Sequence, residues 1–425
     1  MRVFLQTLGC RLNEAELERW SRDCRERGYT IATQAERADL VVVNTCAVTG
    51  ESARKSRQLI RRARRDNPEA KLVVSGCLAS LEPQRIAGEL GIDLLITNPD
   101  KDRLIDIAAE QLDLPVMPEA ATVPGENALL ARGRHRAFIK VQDGCRYRCA
   151  FCIVTKARGR ERSRAIGAVV DEVNRVHAQG VQEVVLAGVH LGGYGSDIDS
   201  NLGQLIRAVL AGTSIPRVRL GSLEPWELPE GFWELFTDSR LMPHLHLPIQ
   251  SGSDSVLRRM SRRCRTAEFR ALVATARHLV PDFNVTTDII VGFPGETDAE
   301  WKQTLAFAQA LHFGHIHIFA YSPRVGTKAA AMPDQLSRET KRERSRALHE
   351  IAQAGRRSVL ERALEREFEV LIEDRADGVA WSGYTPHYLR VAVHARDQRE
   401  LENRIVRVRA DRVSDDAVGL IAALR

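Results

Sequence analysis

The stretch Ile139-Lys-Val-Gln-Asp-Gly-Cys-Arg-Tyr-Arg-Cys-Ala-Phe-Cys152 joins an apolar segment to three closely spaced thiols. The apolar residues 137–141 predict a short strand, and a glycine turn follows it. Cys145, Cys149 and Cys152 come next, with the spacing C-x3-C-x2-C. Thiols this close together in an intracellular chain are more often metal ligands than disulfide partners. We therefore predict a metal centre directly after this strand.

The number of thiols indicates which metal this loop would hold. A structural zinc site takes four protein ligands, whereas the loop offers three thiols. His135 and His177 lie outside any usual zinc-finger spacing. Three thiolates suit a [4Fe–4S] cluster with one open iron, and such an iron can bind S-adenosylmethionine for radical chemistry. We favour the cluster, with zinc and inert core cysteines as the alternatives.

Length and composition restrict the class of protein. A chain of 425 residues suggests two or three domains. No apolar run reaches transmembrane length, and the first residues lack the apolar core of a signal peptide. We therefore expect a cytoplasmic protein with no membrane partner. In that compartment eight cysteines point to metal or redox chemistry.

Two basic segments lie beside the candidate metal thiols. Residues 132–164 contain eleven Lys or Arg against two acids, and residues 52–65 contain seven and no acid. A charge run is ordinarily a solvated surface. Its position next to metal thiols favours a polyanionic substrate instead, because Lys and Arg near phosphates provide affinity that is independent of sequence.

The first 115 residues alternate short apolar segments with helical ones, which predicts a doubly wound parallel sheet. Strands are predicted over residues 3–8, 40–44, 72–75 and 92–97. A cysteine follows each of the first three strands: Cys10, Cys46 and Cys77. Loops at the carboxyl ends of parallel strands converge on a ligand crevice, so we predict a second three-thiol set. Three small buried residues are the alternative, and Cys24 and Cys264 are interpreted as non-ligands.

The remaining chain predicts a linker, a second α/β region and a small β-barrel. Residues 116–134 carry the proline and glycine content of a linker. Residues 135–335 predict an open (β/α)6 barrel, with strands over residues 137–141, 183–187, 217–220, 244–247, 284–291 and 315–319. Residues 336–367 predict a connecting helix. Residues 368–425 predict an all-β barrel that either binds RNA or acts as a structural cap.

These segments together resemble a known family, the radical-SAM methylthiotransferases, whose terminal barrel is called TRAM. The matching stretches include Thr7-Leu-Gly-Cys-Arg-Leu-Asn13, Val43-Asn-Thr-Cys-Ala-Val48, Ser75-Gly-Cys77, Leu247-Pro-Ile-Gln-Ser-Gly-Ser253 and Asp288-Ile-Ile-Val-Gly-Phe-Pro-Gly-Glu-Thr297. The first of them, together with Ala187-Gly-Val-His-Leu-Gly-Gly-Tyr-Gly195, looks like the branch that acts on N6-threonylcarbamoyladenosine in tRNA. The isopentenyladenosine branch and the branch that acts on a ribosomal-protein aspartate are the alternatives.

The resemblance implies addition of a methylthio group to C2 of the modified adenosine at position 37 of tRNA. That carbon is not open to ordinary acid–base or nucleophilic catalysis, so a radical is required. One [4Fe–4S] cluster, on Cys145, Cys149 and Cys152, would bind S-adenosylmethionine. A second, on the set that begins with Cys10, would hold the sulfur. The implied partners are the tRNA anticodon loop, a flavodoxin- or ferredoxin-like electron donor and an unidentified sulfur donor. An RNA-binding protein with a structural metal is the rival class.

Five further residues are expected to contact S-adenosylmethionine. Phe151 would border its adenine, and Gly188 would let its amino-acid end approach the backbone. Gln250 and Gly292 are placed at strand ends that face the pocket. Arg158 would pair with the cofactor carboxylate or with a tRNA phosphate. We expect the radical site to lie wholly within the barrel, apart from the terminal β-barrel.

Overall fold

The computed structural model describes residues 1–115, 135–376, 380–394 and 400–425. Within these ranges the chain forms an α/β region, a second α/β region and a closed β-barrel. The predicted fold class is therefore confirmed. The predicted linker, residues 116–134, lies outside the described residues, and the division of the chain into domains stays a prediction.

The N-terminal region is built on one parallel five-stranded sheet in the order β2-β1-β3-β4-β5. Its strands are Arg2–Thr7 (β1), Thr30–Ile31 (β2), Leu40–Thr45 (β3), Lys71–Gly76 (β4) and Leu94–Ile96 (β5). Its helices are Arg11–Glu26 (α1), Gly50–Asp66 (α2), Cys77–Leu81 (α3), Pro83–Glu89 (α4) and Leu104–Gln111 (α5). Strand β3 is buried on both faces, and alternate residues enter two different cores: Val41 and Val43 on one side, Leu40 and Val42 on the other.

The central region contains six parallel strands in two groups of three, β10-β9-β6 and β11-β12-β13. These strands are Arg136–Lys140 (β6), Glu183–Ala187 (β9), Arg217–Leu220 (β10), His244–His246 (β11), Asn284–Val291 (β12) and His315–Ala320 (β13), while Gln142–Asp143 (β7) and Arg162–Ser163 (β8) form a small antiparallel pair. Parallel bridges from Val218 to Leu241 and from Ser222 to His246 join the two groups. The six strands thus form one open barrel wall.

The helices of this region pack mainly on the outside of this wall. They are Val154–Arg158 (α6), Ile166–Ala178 (α7), Leu202–Gly212 (α8), Asp254–Arg259 (α9), Thr266–Leu279 (α10) and Asp298–Leu311 (α11), followed by the long Arg338–Glu361 (α12). Amphipathic patterning explains why they pack there, since apolar residues of α7 and α8 such as Val173 and Ile206 enter the barrel core. No helix in the described ranges is both long and apolar enough to cross a lipid bilayer.

The C-terminal barrel closes in the order β14-β15-β16-β18-β17. Its strands are Glu367–Ala376 (β14), Ala380–Tyr384 (β15), Arg390–His394 (β16), Ile405–Val413 (β17) and Leu420–Leu424 (β18). Arg217 of β10 donates to the carbonyls of Glu369 and Tyr384 at 2.6 and 3.1 Å, and Asn284 of β12 donates to that of His387 at 2.8 Å. Both donors begin their strands, so the C-terminal barrel covers the amino end of the central barrel.

Candidate active site between two sets of cysteines

A cavity of about 740 Å³ collects both predicted sets of cysteines. One part of its wall carries Cys10, Cys46 and Cys77, and another carries Cys145, Cys149 and Cys152. The rest of the wall comes from the ends of β9 and β10 and the loops after them, from β11, β12, β13 and α12, and from the C-terminal barrel. Segments that are far apart in the sequence therefore line one shared cavity.

Backbone contacts fix the C-x3-C-x2-C loop. Gly144 has φ +73°, and a Cβ there would lie 1.9 Å from the carbonyl oxygen of Arg160, so only glycine fits. The amide of Cys145 donates to the carbonyl of Gly159 at 3.1 Å, and that of Ala150 donates to the carbonyl of Met260 at 2.8 Å. The loop is held at both ends, and its three thiols stay on the cavity wall.

The surroundings of these thiols explain how they would bind iron. Backbone amides two residues onward donate to the sulfurs of Cys145 and Cys152 at 3.4 Å each. Burial raises the pKa of Cys145 to about 12 and that of Cys152 to about 11. The thiolates that coordinate iron are therefore favoured only when a positive group is present. Arg262 provides such a positive charge beside Cys149, since its guanidinium lies 3.8 Å from that sulfur. The same guanidinium is paired with Glu224 at 2.6 Å.

The second set is assembled by the sheet. Cys10, Cys46 and Cys77 follow β1, β3 and β4, at the carboxyl ends of three adjacent strands. A Cβ on Gly9 would lie 2.8 Å from the Cβ of Cys46, which shows how closely the strand ends approach. Burial raises the pKa of Cys46, and the neighbouring Cys77 and Cys10 raise it further. The side-chain amide of Asn98 lies 3.9 Å from the sulfur of Cys77.

The donor atoms fit two three-cysteine [4Fe–4S] clusters better than closed zinc sites. In the part of the chain that the structure describes, the cavity wall holds six thiols, while Cys24 and Cys264 are buried in separate apolar cores. His135 pairs with Glu402, and His177 bonds the carbonyl of Val181, so neither histidine is a fourth ligand. His190 and Glu161 approach Cys145, but they are hydrogen-bonded to each other.

Four of the predicted S-adenosylmethionine contacts lie on the cavity wall: Phe151, Arg158, Gly188 and Gln250. A Cβ on Gly188 would lie 3.0 Å from the side-chain oxygen of Gln142, so a larger residue would displace that side chain. Gln250 has φ +76°, which is uncommon for a residue other than glycine and is typical of functional sites. The backbone amide of Gln250 donates to the backbone carbonyl of Asp288 at 2.9 Å.

Gly292 and Arg158 have different surroundings from those expected. Gly292 is outside the described lining of the cavity, and a Cβ there would lie 2.4 Å from the side chain of Lys341. Arg158 is 2% exposed and bonds Glu16 and Asp143 at 3.0 Å each and Asn13 at 2.7 Å. Its guanidinium is committed to these neighbours beside the second thiol set, rather than free for a cofactor carboxylate or a tRNA phosphate.

The wall opposite the C-x3-C-x2-C loop was not predicted. It contains His246, Asp288 and His317, whose ligand atoms lie within 4.8 Å of one another, and the imidazole of His246 bonds the carboxylate of Asp288 at 3.0 Å. The signal for it was present, because polar residues alternate along the buried strands in His244-Leu-His246 and His315-Ile-His317.

The C-terminal barrel also lines the cavity, through Tyr384, Tyr388, Leu389 and Arg390. The expectation that the radical site lies wholly within the central barrel stays a prediction, but the cavity next to that site extends to the C-terminal barrel. Arg217 and Arg219 are nearly inaccessible and use carbonyls of the C-terminal barrel as acceptors. The physical reason is thus the need of buried cations for partners, which draws a loop of the C-terminal barrel under the cavity.

Comparison with known proteins agrees with this architecture. The description "Uncharacterized protein family UPF0004" matches residues 2–97, and "Radical SAM superfamily" matches residues 139–308. The threonylcarbamoyladenosine tRNA methylthiotransferase MtaB of Thermotoga maritima is 35% identical, over 91% of this chain and 90% of its own. A tRNA-2-methylthio-N(6)-dimethylallyladenosine synthase of Methylacidiphilum infernorum is 33% identical, over 87% and 84%.

The solved structure of the radical S-adenosylmethionine methyltransferase TsrM from Kitasatospora setae is similar in fold, with a TM-score of 0.59 over 77% of both chains at 17% identity. The first family match contains the second thiol set, and the radical-SAM match contains the C-x3-C-x2-C loop. The cofactors are accordingly S-adenosylmethionine and [4Fe–4S] clusters. With both matches and both thiol sets in place, the chain belongs to the family of radical-SAM methylthiotransferases that modify tRNA.

Proposed function

We propose that this enzyme adds a methylthio group to C2 of N6-threonylcarbamoyladenosine at position 37 of tRNA, next to the anticodon, in the cytoplasm. The observation that carries this proposal is the single cavity that both thiol sets line. An enzyme that places sulfur on an unactivated carbon needs the site of carbon activation and the site of sulfur delivery to face the same substrate atom. The shared cavity meets that requirement.

Each set of residues has a distinct task in this proposal. Cys145, Cys149 and Cys152 would hold the cluster that, with S-adenosylmethionine bound, supplies one-electron chemistry at an unactivated carbon. Phe151, Gly188 and Gln250 would position S-adenosylmethionine beside that cluster. The set of Cys10, Cys46 and Cys77 would hold the cluster that carries the sulfur.

The cavity itself protects this chemistry. Apolar side chains from every part of the chain form much of its wall: Leu12, Val48, Val154, Val189, Leu360, Leu389 and Val418. Such a wall excludes water and limits side reactions of a reactive species. Three exposed cations near the loop, Arg148, Lys156 and Arg160, would contact phosphates of the anticodon loop. A flavodoxin- or ferredoxin-like protein would provide electrons, and the sulfur donor is left unassigned.

The test is methylthiolation by anaerobically reconstituted protein of one tRNA in three forms, carrying N6-threonylcarbamoyladenosine, dimethylallyladenosine or unmodified adenosine at position 37. Nucleosides are then identified by mass spectrometry. We expect a methylthio product from the first tRNA only, and none from a Cys145→Ala variant. Product from the dimethylallyl tRNA alone would contradict the assigned substrate, and the absence of product from all three would contradict the proposal as a whole.

A further inference from the structure

We propose that Arg356 and Arg11 form a subsite for the carboxylate of the N6-threonylcarbamoyl group, and so determine which modified adenosine the enzyme accepts. This inference rests on the proposed function, since it names the residues that recognise the substrate of the same site. It starts from a difference among the arginines of the cavity.

Five arginines belong to the described lining of the cavity: Arg11, Arg158, Arg262, Arg356 and Arg390. Arg158 and Arg262 are buried in ion pairs, and Arg390 is exposed at the rim. Arg11 and Arg356 are partly buried, yet among the described residues neither forms an ion pair; Asp416 acts on Arg356 electrostatically from beyond ion-pair distance. Partly buried cations without a counterion are costly unless a ligand provides one.

Each of these two guanidiniums makes a single side-chain hydrogen bond in the described part of the chain. Arg11 donates to the hydroxyl of Tyr388 at 3.0 Å, and Arg356 donates to the imidazole of His315. A guanidinium has five N–H donors, so most of theirs are left for a ligand. Burial lowers the pKa of His315 to about 3, and the nearby charge of Arg356 contributes to this shift. The histidine is therefore neutral and accepts a hydrogen bond from Arg356.

Their position along the barrel suits a substituent on N6. The C-x3-C-x2-C loop follows the carboxyl end of β6. By contrast, His315 begins β13, and the ring of Tyr388 contacts that of His244, which begins β11. Arg356 therefore lies toward the opposite end of the cavity from that loop, and Arg11 reaches the same end from its place beside Cys10. In adenine, C2 and C6 lie on either side of N1. With C2 at the thiols, a group on N6 extends toward the two arginines.

The charge of this wall favours an anion. Of the two carboxylates in the described lining, Glu224 is paired with Arg262 at 2.6 Å and Asp288 is hydrogen-bonded to His246 at 3.0 Å, so neither is paired with Arg11 or Arg356. Burial lowers the pKa of His317, and Arg11 and Arg356 act electrostatically in the same direction. A threonylcarbamoyl group brings a carboxylate and a hydroxyl to these donors. A dimethylallyl group has no acceptor, so it would leave the N–H groups of both arginines buried without a partner. Sites built for polar groups reject apolar analogues strongly for that reason.

The experiment compares binding of four anticodon stem–loop RNAs to the reconstituted enzyme. They carry N6-threonylcarbamoyladenosine, its carboxamide, dimethylallyladenosine or adenosine. We expect the wild-type protein to bind the carboxylate RNA about 10- to 100-fold more tightly than the carboxamide RNA, as for a charge-assisted contact. Arg356→Gln and Arg11→Gln should each remove much of this preference. The matched control is Arg357→Gln. Arg357 follows Arg356 on the same helix, and it is an exposed cation that is paired with Glu361.

Other outcomes overturn the inference. If Arg356→Gln weakens the binding of all four RNAs equally, the arginine contacts a tRNA phosphate and not the carboxylate. Weaker S-adenosylmethionine binding without RNA would assign it to the cofactor carboxylate. If Arg356→Gln fails to fold, the wild-type preference for carboxylate over carboxamide and the behaviour of Arg356→Lys decide the matter. If the wild-type enzyme methylthiolates this substrate but binds the carboxylate and carboxamide RNAs equally, the inference is wrong and the proposed function still stands.

Discussion

The two thiol sets differ in how the chain builds them. Cys145, Cys149 and Cys152 sit on one loop, and two of their sulfurs take hydrogen bonds from amides of that loop. The other set spans three strands, and side chains from elsewhere support it. Asn98, next to Cys77, also donates to the carbonyl of Ala157 in the central region at 2.6 Å. The first set therefore depends on a local loop, and the second depends on how two regions pack together.

The test with the largest expected effect replaces the three cysteines of each set, in separate variants, with alanine. Loss of Cys145, Cys149 and Cys152 should leave about half of the iron and abolish reductive cleavage of S-adenosylmethionine, because three-cysteine clusters need all their ligands. Loss of Cys10, Cys46 and Cys77 should also leave about half of the iron but preserve that cleavage. Iron and sulfide analysis of anaerobically purified protein checks both. Full iron in either variant would refute two separate clusters.

The packing between the regions is tested by Arg158→Gln. This change removes one of the two cations that Glu16 and Asp143 share and leaves Lys140 as the other, so we expect a cost of up to about 3–5 kcal/mol, the range for breaking a buried pair. Denaturant unfolding of the apoprotein measures the destabilisation, and Arg160→Gln, at an exposed position, is the control. We also expect the second cluster to be lost before the first. Unfolding free energies that match for the two variants would contradict the buried network.

The same network predicts a dependence on pH. Burial alone would raise the pKa of Glu16, but Lys101, Arg158 and Lys140 outweigh it and lower the pKa to about 2. The ordinary value is 4.5, so its stabilising contribution is complete above that pH and is lost as pH falls toward about 2. The unfolding free energy of the apoprotein should therefore decline below about pH 4.5. Glu16→Gln should flatten that decline; an identical slope would remove Glu16 from the explanation.

The smallest expected effect concerns tRNA affinity. Beside the C-x3-C-x2-C loop, Arg160 is exposed, and the side chain of Arg162 is 45% exposed with Asp143 3.9 Å away. Arg164 is bonded more closely to Glu172, at 2.5 Å. Arg160→Gln with Arg162→Gln should weaken tRNA binding modestly and reduce its salt dependence by about one unit of slope for each phosphate that is no longer neutralised. Arg65→Gln, beside Asp66, is the control. An unchanged slope in the double variant would place the RNA elsewhere.

Sequence patterns predicted what depends on local spacing or on strand order. The C-x3-C-x2-C loop is local, and the second set follows from parallel strands ending at one edge. The partners of Arg158 were beyond such reasoning, because Glu16 lies 142 residues away. The basic segment of α2 shows the same limit: folding brings Glu82 to Arg57 and Asp93 to Arg64. Its charge is therefore far less available to RNA than the composition implied.

The place of Tyr388 has a consequence for how such enzymes are recombined. This residue of the C-terminal barrel, at φ +64°, is in contact with the guanidiniums of Arg11, Arg136 and Arg219. The barrel is thus no detachable module, since one of its loops lines the cavity that both thiol sets share. Exchanging C-terminal barrels between relatives would exchange part of the pocket as well. Chimaeras, and natural shuffling of this segment, should succeed only where the arginines beneath that loop are inherited together with it.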